Sequence, residues 1–186
     1  MNPKYDTLRS GSIIHRVYDP THYAATATDY RYSGPFVRMD HHIPTACDRG
    51  ILYAAPKYAG CLIEITDGPL LHIGSRRHAT LRLQTDLRIL DLRGNGAGRA
   101  GTDARIGKCA HEEAQPWARH FYDDVAYNRV VGLWWLNSHN DDEAFAFFER
   151  AGNAFAVERD VPLKSELTEI AELLQPMNKT IDFSSA

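Results

Sequence analysis

Cysteine is scarce: Cys47, Cys61 and Cys109 are the only three in 186 residues, an odd number with no CxxC spacing. That excludes a disulfide framework and a zinc ribbon, and it fits a reducing cytoplasm. An excess of basic charge is lacking too. The formal net charge is −3, which leaves no electrostatic footprint for broad nucleic-acid or anionic-membrane binding. No apolar run is long enough to cross a bilayer, and the polar start Met1-Asn2-Pro3-Lys4 predicts no signal peptide. Internal repeats and low-complexity tracts are absent. There is no GxSxG, so a nucleophile-elbow hydrolase is unsupported. His111-Glu112-Glu113-Ala114-Gln115 begins like HExxH, but Gln115 stands where a helical zinc site needs its second imidazole. His41 and His42 are adjacent and would point in different directions on a strand. No metal site is expected.

What is present is a chain with 44% hydrophobic residues, enough to bury a core. It is most simply one domain over 1–186, with a core at 12–160 and a C-terminal helix within 161–176. Strands are expected at 12–17, 50–53, 69–73, 80–83, 87–92, 130–136 and 153–157. Residues 60–66 read equally as strand or helix, and 143–149 as strand or short helix. Residues 93–101 (Arg-Gly-Asn-Gly-Ala-Gly-Arg-Ala-Gly) must be a loop. Thr102 is the expected N-cap of a helix from 103 to 122, which Pro116 would interrupt. Residues 166–174 form an amphipathic helix whose stripe (Leu167, Ile170, Leu174) packs on the same domain, followed by a polar tail. Strands outnumber helices without alternating with them. The expected class is therefore α+β, a mixed sheet flanked by helices.

Gly96 to Gly101 formally spells GxGxxG after a strand. Residues 93–95 separate strand and first glycine, however, and Asp123 sits in a turn-like Tyr-Asp-Asp, so a glycine-dependent connection is the better reading. The more informative stretch runs from Gly34 to Ile65. It sets Arg38, Tyr53 and Glu64 among apolar neighbours, with a turn-rich segment, 44–50, between the first two. Taken singly, each has an ordinary explanation: a surface arginine, a core tyrosine with its hydroxyl at the rim, a solvated carboxylate. Together they suit one task, which is to hold an anion, stack on a flat ring and stabilise positive charge growing on a sugar carbon. An unpaired carboxylate in the apolar setting of Glu64 is expensive and usually has a partner or a function. Asn137-Ser138-His139-Asn140 is a polar loop after a buried strand, open both to an Asx turn and to a ligand site.

These pieces in order resemble the RES-domain family of toxins from bacterial toxin–antitoxin pairs. Its pattern of arginine, tyrosine in an apolar strand, glutamate and serine after a hydrophobic strand is similar to Val37-Arg38-Met39-Asp40-His41, Ile51-Leu52-Tyr53-Ala54, Ile63-Glu64 and Leu136-Asn137-Ser138. The stretches 90–93 and 144–151 also fit. Val37 replaces the glycine that many members carry before the arginine, and the spacing from Arg38 to Tyr53 is longer than in compact members. The resemblance implies an ADP-ribosyltransferase-like fold and NAD+ as substrate, with no metal. It implies cleavage of the nicotinamide–ribose bond and transfer of ADP-ribose to phosphate or water. The alternative is a mono-ADP-ribosyltransferase acting on a cellular protein such as a nucleotide-synthesis enzyme. The implied catalytic residues are Glu64, Arg38 and Tyr53; Arg38, Tyr53, Ser138 and, more weakly, Arg16 would bind NAD+. A cognate antitoxin of the Xre, helix-turn-helix type is the expected partner, covering the pocket. Two other classes remain: a module that binds a nucleotide without turnover, and a structural protein in which Arg38 and Glu64 pair internally.

Overall fold

The computed structural model describes residues 2–44, 48–66 and 68–182. Cys47 and part of the 44–50 turn segment lie outside them. Among the described residues the strands are β1 (Tyr5–Leu8), β2 (Ile13–Tyr18), β3 (Ile51–Ala54), β4 (Leu70–His72), β5 (Arg77–Leu83), β6 (Leu87–Asp91), β7 (Gly132–Leu136), β8 (Glu143–Phe148), β9 (Phe155–Pro162) and β10 (Thr180–Asp182). The α-helices are α1 (Tyr58–Glu64), α2 (Gly96–Arg99), α3 (His111–Asp123) and α4 (Leu167–Leu174). The class is α+β, as expected.

A five-stranded sheet runs β1-β6-β7-β8-β3, with β6 and β7 parallel and the other neighbours antiparallel. A three-stranded antiparallel sheet, β2-β5-β9, packs against it, and β10 and β4 form a short parallel pair. The central strands bury both faces, and their residues alternate between two cores. On β8, Ala144, Ala146 and Phe148 enter the core shared with α3. Phe145 and Phe147 enter the core between the two sheets, with Ile14, Leu81 and Phe155. On β3, Ile51 and Tyr53 face the first core, Leu52 and Ala54 the second.

Of residues 60–66, readable either way in sequence, 60–64 belong to a helix and Ile65 caps it. Tyr58, Cys61, Leu62 and Ile65 repeat at helical spacing. Tyr58 and Leu62 are buried with Leu71, Ile170 and Leu174, so the stripe of α4 does pack on its own domain. Residues 143–148 are a strand. The glycine-rich segment is not all loop: α2 forms within it, where a Cβ on Gly96 would collide with the Asp91 carbonyl. Thr102 does not cap a helix. Asp103 caps a 3-10 turn, Ala104–Gly107, accepting from the Arg105 amide, and α3 starts only at His111. Pro116 lies inside α3 without interrupting it. Sequence reading also missed β1, whose Leu8 enters the core between the sheets, and β10 in the supposed polar tail.

Phe147 is fully buried between the sheets. Phe147→Ala is expected to cost about 3–5 kcal/mol through lost contact and a residual cavity. Urea or guanidinium unfolding checks this, and a loss below about 1 kcal/mol would contradict the two-core packing.

Candidate active site

A cleft of about 500 Å³ opens between α1, the end of β3, the segment before β3 and the loop after β7. That is within the usual size of a small-molecule site. Arg38, Tyr53, Glu64 and Ser138 all line it, together with His111, Trp135 and His139. Four of the five residues expected to form the site thus share one cleft. Arg16 does not line it; the guanidinium lies in an adjoining cavity.

Helix α1 delivers Glu64. Its Tyr58 and Leu62 pack toward α4 and β4, while Gly60, Cys61 and Glu64 line the cleft. Solvent reaches the Glu64 carboxyl, but the cleft walls replace much of the water a free carboxylate would have. Burial pushes its pKa above the usual carboxylate value, offset in part by the electrostatic influence of nearby His139, Arg38 and His111. No salt bridge joins Glu64 to Arg38 among the described residues. Instead Arg38 Nε donates to the Cys109 carbonyl at 2.8 Å, just before α3, and Nη1 reaches Ser138 Oγ at 3.5 Å. The structural reading, an internal Arg38–Glu64 pair, is therefore not the arrangement found.

Ser138 sits in an Asx turn and in the site at once. Asn137 Oδ1 accepts from the His139 and Asn140 amides at 2.9 and 3.0 Å, closing the turn that aims Ser138 at Arg38. The loop is thus an Asx turn that also lines the cleft.

Sequence reasoning missed the group that organises the site. Asp40 is fully buried and accepts from Arg31 Nη2 at 2.6 Å, Tyr53 Oη at 2.8 Å and the amides of Phe36 and Val37 at 2.6 and 3.2 Å. It ties the Arg38 segment to β3 and fixes Tyr53, whose ring stands edge-on to Trp135 with centroids 6.2 Å apart. Burial and the Asp40 charge drive the Tyr53 pKa well up, so this phenol is a hydrogen-bond donor and a wall, not a proton acceptor. The available signal was an aspartate within the mostly apolar 35–43 run. His41 and His42 are buried beside it: His41 stacks on Tyr122 at 4.2 Å, and His42 Nε2 lies 3.1 Å from the Arg31 carbonyl. Among the described residues no group of His, Cys, Asp and Glu is placed to hold a metal, and no helix is long and apolar enough to cross a membrane.

The RES domain family model matches residues 13–168, most of the chain, and the chain belongs to that family. The family is associated with NAD-utilising enzymes. A comparison with curated proteins finds no match.

Two outcomes test this geometry. A raised Glu64 pKa means the folded state holds its proton above the ordinary value of 4.5, so stability falls as pH rises through that window. Glu64→Gln should therefore melt at or above the wild-type temperature at neutral pH, with any advantage vanishing below the ordinary glutamate range. A clearly lower melting temperature at neutral pH would contradict it. Asp40→Ala takes the acceptor from the half-buried Arg31 guanidinium, the Tyr53 hydroxyl and the amides of Phe36 and Val37, and should cost at least about 1–3 kcal/mol in denaturant unfolding; a loss near zero would remove Asp40 from its role.

Proposed function

We propose that this protein is the toxin of a toxin–antitoxin pair that binds NAD+ in the cytoplasm and cleaves its nicotinamide–ribose bond, passing ADP-ribose to phosphate or water. The observation that carries the reading is the convergence of Arg38, Tyr53, Glu64 and Ser138 on one cleft within a RES domain. An ADP-ribosyltransferase-like fold and an antitoxin seated over the cleft belong to the same proposal.

The chemistry follows from the side chains. The pyridinium of NAD+ leaves as neutral nicotinamide, taking the bonding electron pair, and positive charge develops on the ribose. An ionised Glu64 beside that carbon stabilises the charge, and its partial desolvation strengthens the effect. The acceptor oxygen then bonds to the same carbon and releases its proton. Arg38, not neutralised by Glu64, is available to a diphosphate, for which a guanidinium offers paired donors. Tyr53, locked by Asp40, supplies a flat wall for the nicotinamide or ribose. Ser138 adds a positioning hydrogen bond.

The test is free nicotinamide measured after incubation of purified protein with NAD+, with and without phosphate and candidate protein acceptors. Wild type should release it, while Glu64→Gln and Arg38→Ala should each lose at least about a hundredfold in kcat/KM, the scale of removing one transition-state charge contact. The acid limb of the wild-type pH profile should lie above 4.5, where Glu64 takes up its proton. No release by folded wild type under any of these conditions would refute the assignment. Label retained on a polypeptide would favour the protein-modifying alternative.

A further inference from the structure

Two histidines line the Glu64 cleft from different elements: His111 opens α3, and His139 follows Ser138 in the loop after β7. Among the described residues no hydrogen bond, ion pair or ring contact engages either imidazole. Histidines elsewhere are taken. His15 Nδ1 lies 3.0 Å from His78 Nε2, His78 Nδ1 lies 2.9 Å from Glu166, and His72 Nδ1 lies 2.8 Å from Asp182.

The backbone under both cleft histidines is fixed. Gln115, one turn into α3 from His111, donates to the Val37 carbonyl at 3.3 Å, and Arg38 holds the Cys109 carbonyl. The start of α3 is thus tied twice to the segment that carries Arg38. The His139 loop is tied to two walls of the cleft. Asp142 pairs with Lys57, just before α1, at 3.1 Å, and Asp141 pairs with Lys108, shortly before α3, at 2.6 Å. Both imidazoles, with Arg38, lie near enough to Glu64 to offset part of the rise that burial imposes on its pKa. His139 is exposed and His111 half-buried, so a small solute reaches both from solvent.

The other ionisable groups of the cleft are engaged. Tyr53 donates to Asp40, and the Cys61 thiol donates to the His15 carbonyl, with burial pushing its pKa up to about 12. In the NAD+ reading Glu64 faces the ribose and Arg38 the diphosphate. An acceptor must therefore approach a carboxylate and a diphosphate. Water does so unaided, whereas an anion is repelled unless donors or positive charge face it. An imidazole offers one N–H when neutral and two when protonated, and Ser138 adds a hydroxyl. Two imidazoles without partners suit an anionic acceptor.

We propose that His111 and His139 bind the acceptor of ADP-ribose and select inorganic phosphate over water. This rests on the NAD+ reading of the same cleft. The ribose C–N bond breaks and its electron pair leaves with nicotinamide. A phosphate oxygen bonds to the same carbon, any proton on it passing to solvent, and ADP-ribose phosphate is the product.

The full chain is incubated with NAD+ at several phosphate concentrations, and the products are resolved by mass. Wild type should form ADP-ribose phosphate. His111→Gln and His139→Gln should each raise the KM for phosphate about tenfold or more, the scale of one hydrogen bond to a charged group. At fixed phosphate their products should shift toward ADP-ribose, a ratio that general loss of structure does not move. Separately, inorganic phosphate is titrated without NAD+ while the two imidazole Cε1–H signals are followed by NMR; both should shift and saturate together. Nicotinamide release with ADP-ribose as the product at every phosphate concentration overturns the inference and leaves the NAD+ reading standing. An unchanged product ratio in both variants, or imidazole signals that ignore phosphate, does the same. No nicotinamide release under any condition removes the NAD+ reading and the acceptor role with it, even if phosphate saturates both imidazoles.

Discussion

The site depends on one buried carboxylate. Asp40 has no contact with solvent and takes hydrogen bonds from a guanidinium, a phenol and two backbone amides. Each donor comes with a piece of architecture: Arg31 with the segment before the site, Phe36 and Val37 with the turn that presents Arg38, and Tyr53 with β3. A buried charge is tolerable only when its hydrogen-bonding capacity is filled, which is what makes such a knot rigid. Arg38 and Tyr53 sit on one cleft because both are tied, within a residue or two, to the same pair of oxygens.

Glu64 reaches the cleft by a separate route. Its helix is short and would be marginal alone, so its place is set by what surrounds it. Tyr58, at its first turn, donates to Glu166 at 2.9 Å and lies flat on His78 with ring centroids 3.6 Å apart. His78 Nδ1 is 2.9 Å from the same Glu166 oxygen, and Arg159 bonds the other one. Burial alone would raise the Glu166 pKa, but hydrogen bonds from Arg159, His78 and Tyr58 hold it below its ordinary value. Four elements thus meet at one carboxylate and pin the start of α1, leaving Glu64 at its far end facing the cleft. The two acids contrast: Glu166 accepts from Arg159, His78 and Tyr58 and serves the fold, while among the described residues no donor bonds Glu64.

Much of this was legible in sequence, and the failures have physical causes. The hydrophobic strands stood out because both faces are buried. Arg38, Tyr53, Glu64 and Ser138 stood out because polar groups interrupt apolar runs in a familiar order. The helix at 58–64 was ambiguous because the window began at Gly60 and left out Tyr58, the residue that completes the helical stripe. Strand β1 was missed because Tyr-Asp-Thr-Leu carries little apolar signal and forms by pairing with β6, far along the chain. Strand β10 likewise exists through its partner β4. Asp40 was passed over because its function lies in contacts with Arg31 and Tyr53, which sequence proximity does not reveal. Arg16 was placed with the others on residue type alone, whereas the fold puts it across the Tyr53 wall.

The central claim is that Arg38, Tyr53 and Glu64 together form a cleft for the nicotinamide end of NAD+. Its most direct measurement is a crystal structure of Glu64→Gln, slowed in turnover, soaked with NAD+. The account predicts an intact dinucleotide with its nicotinamide riboside against Tyr53, the reacting ribose carbon next to residue 64 and a phosphate on Arg38. A dinucleotide bound elsewhere, or bound in the cleft with its adenine end at residue 64, would contradict it.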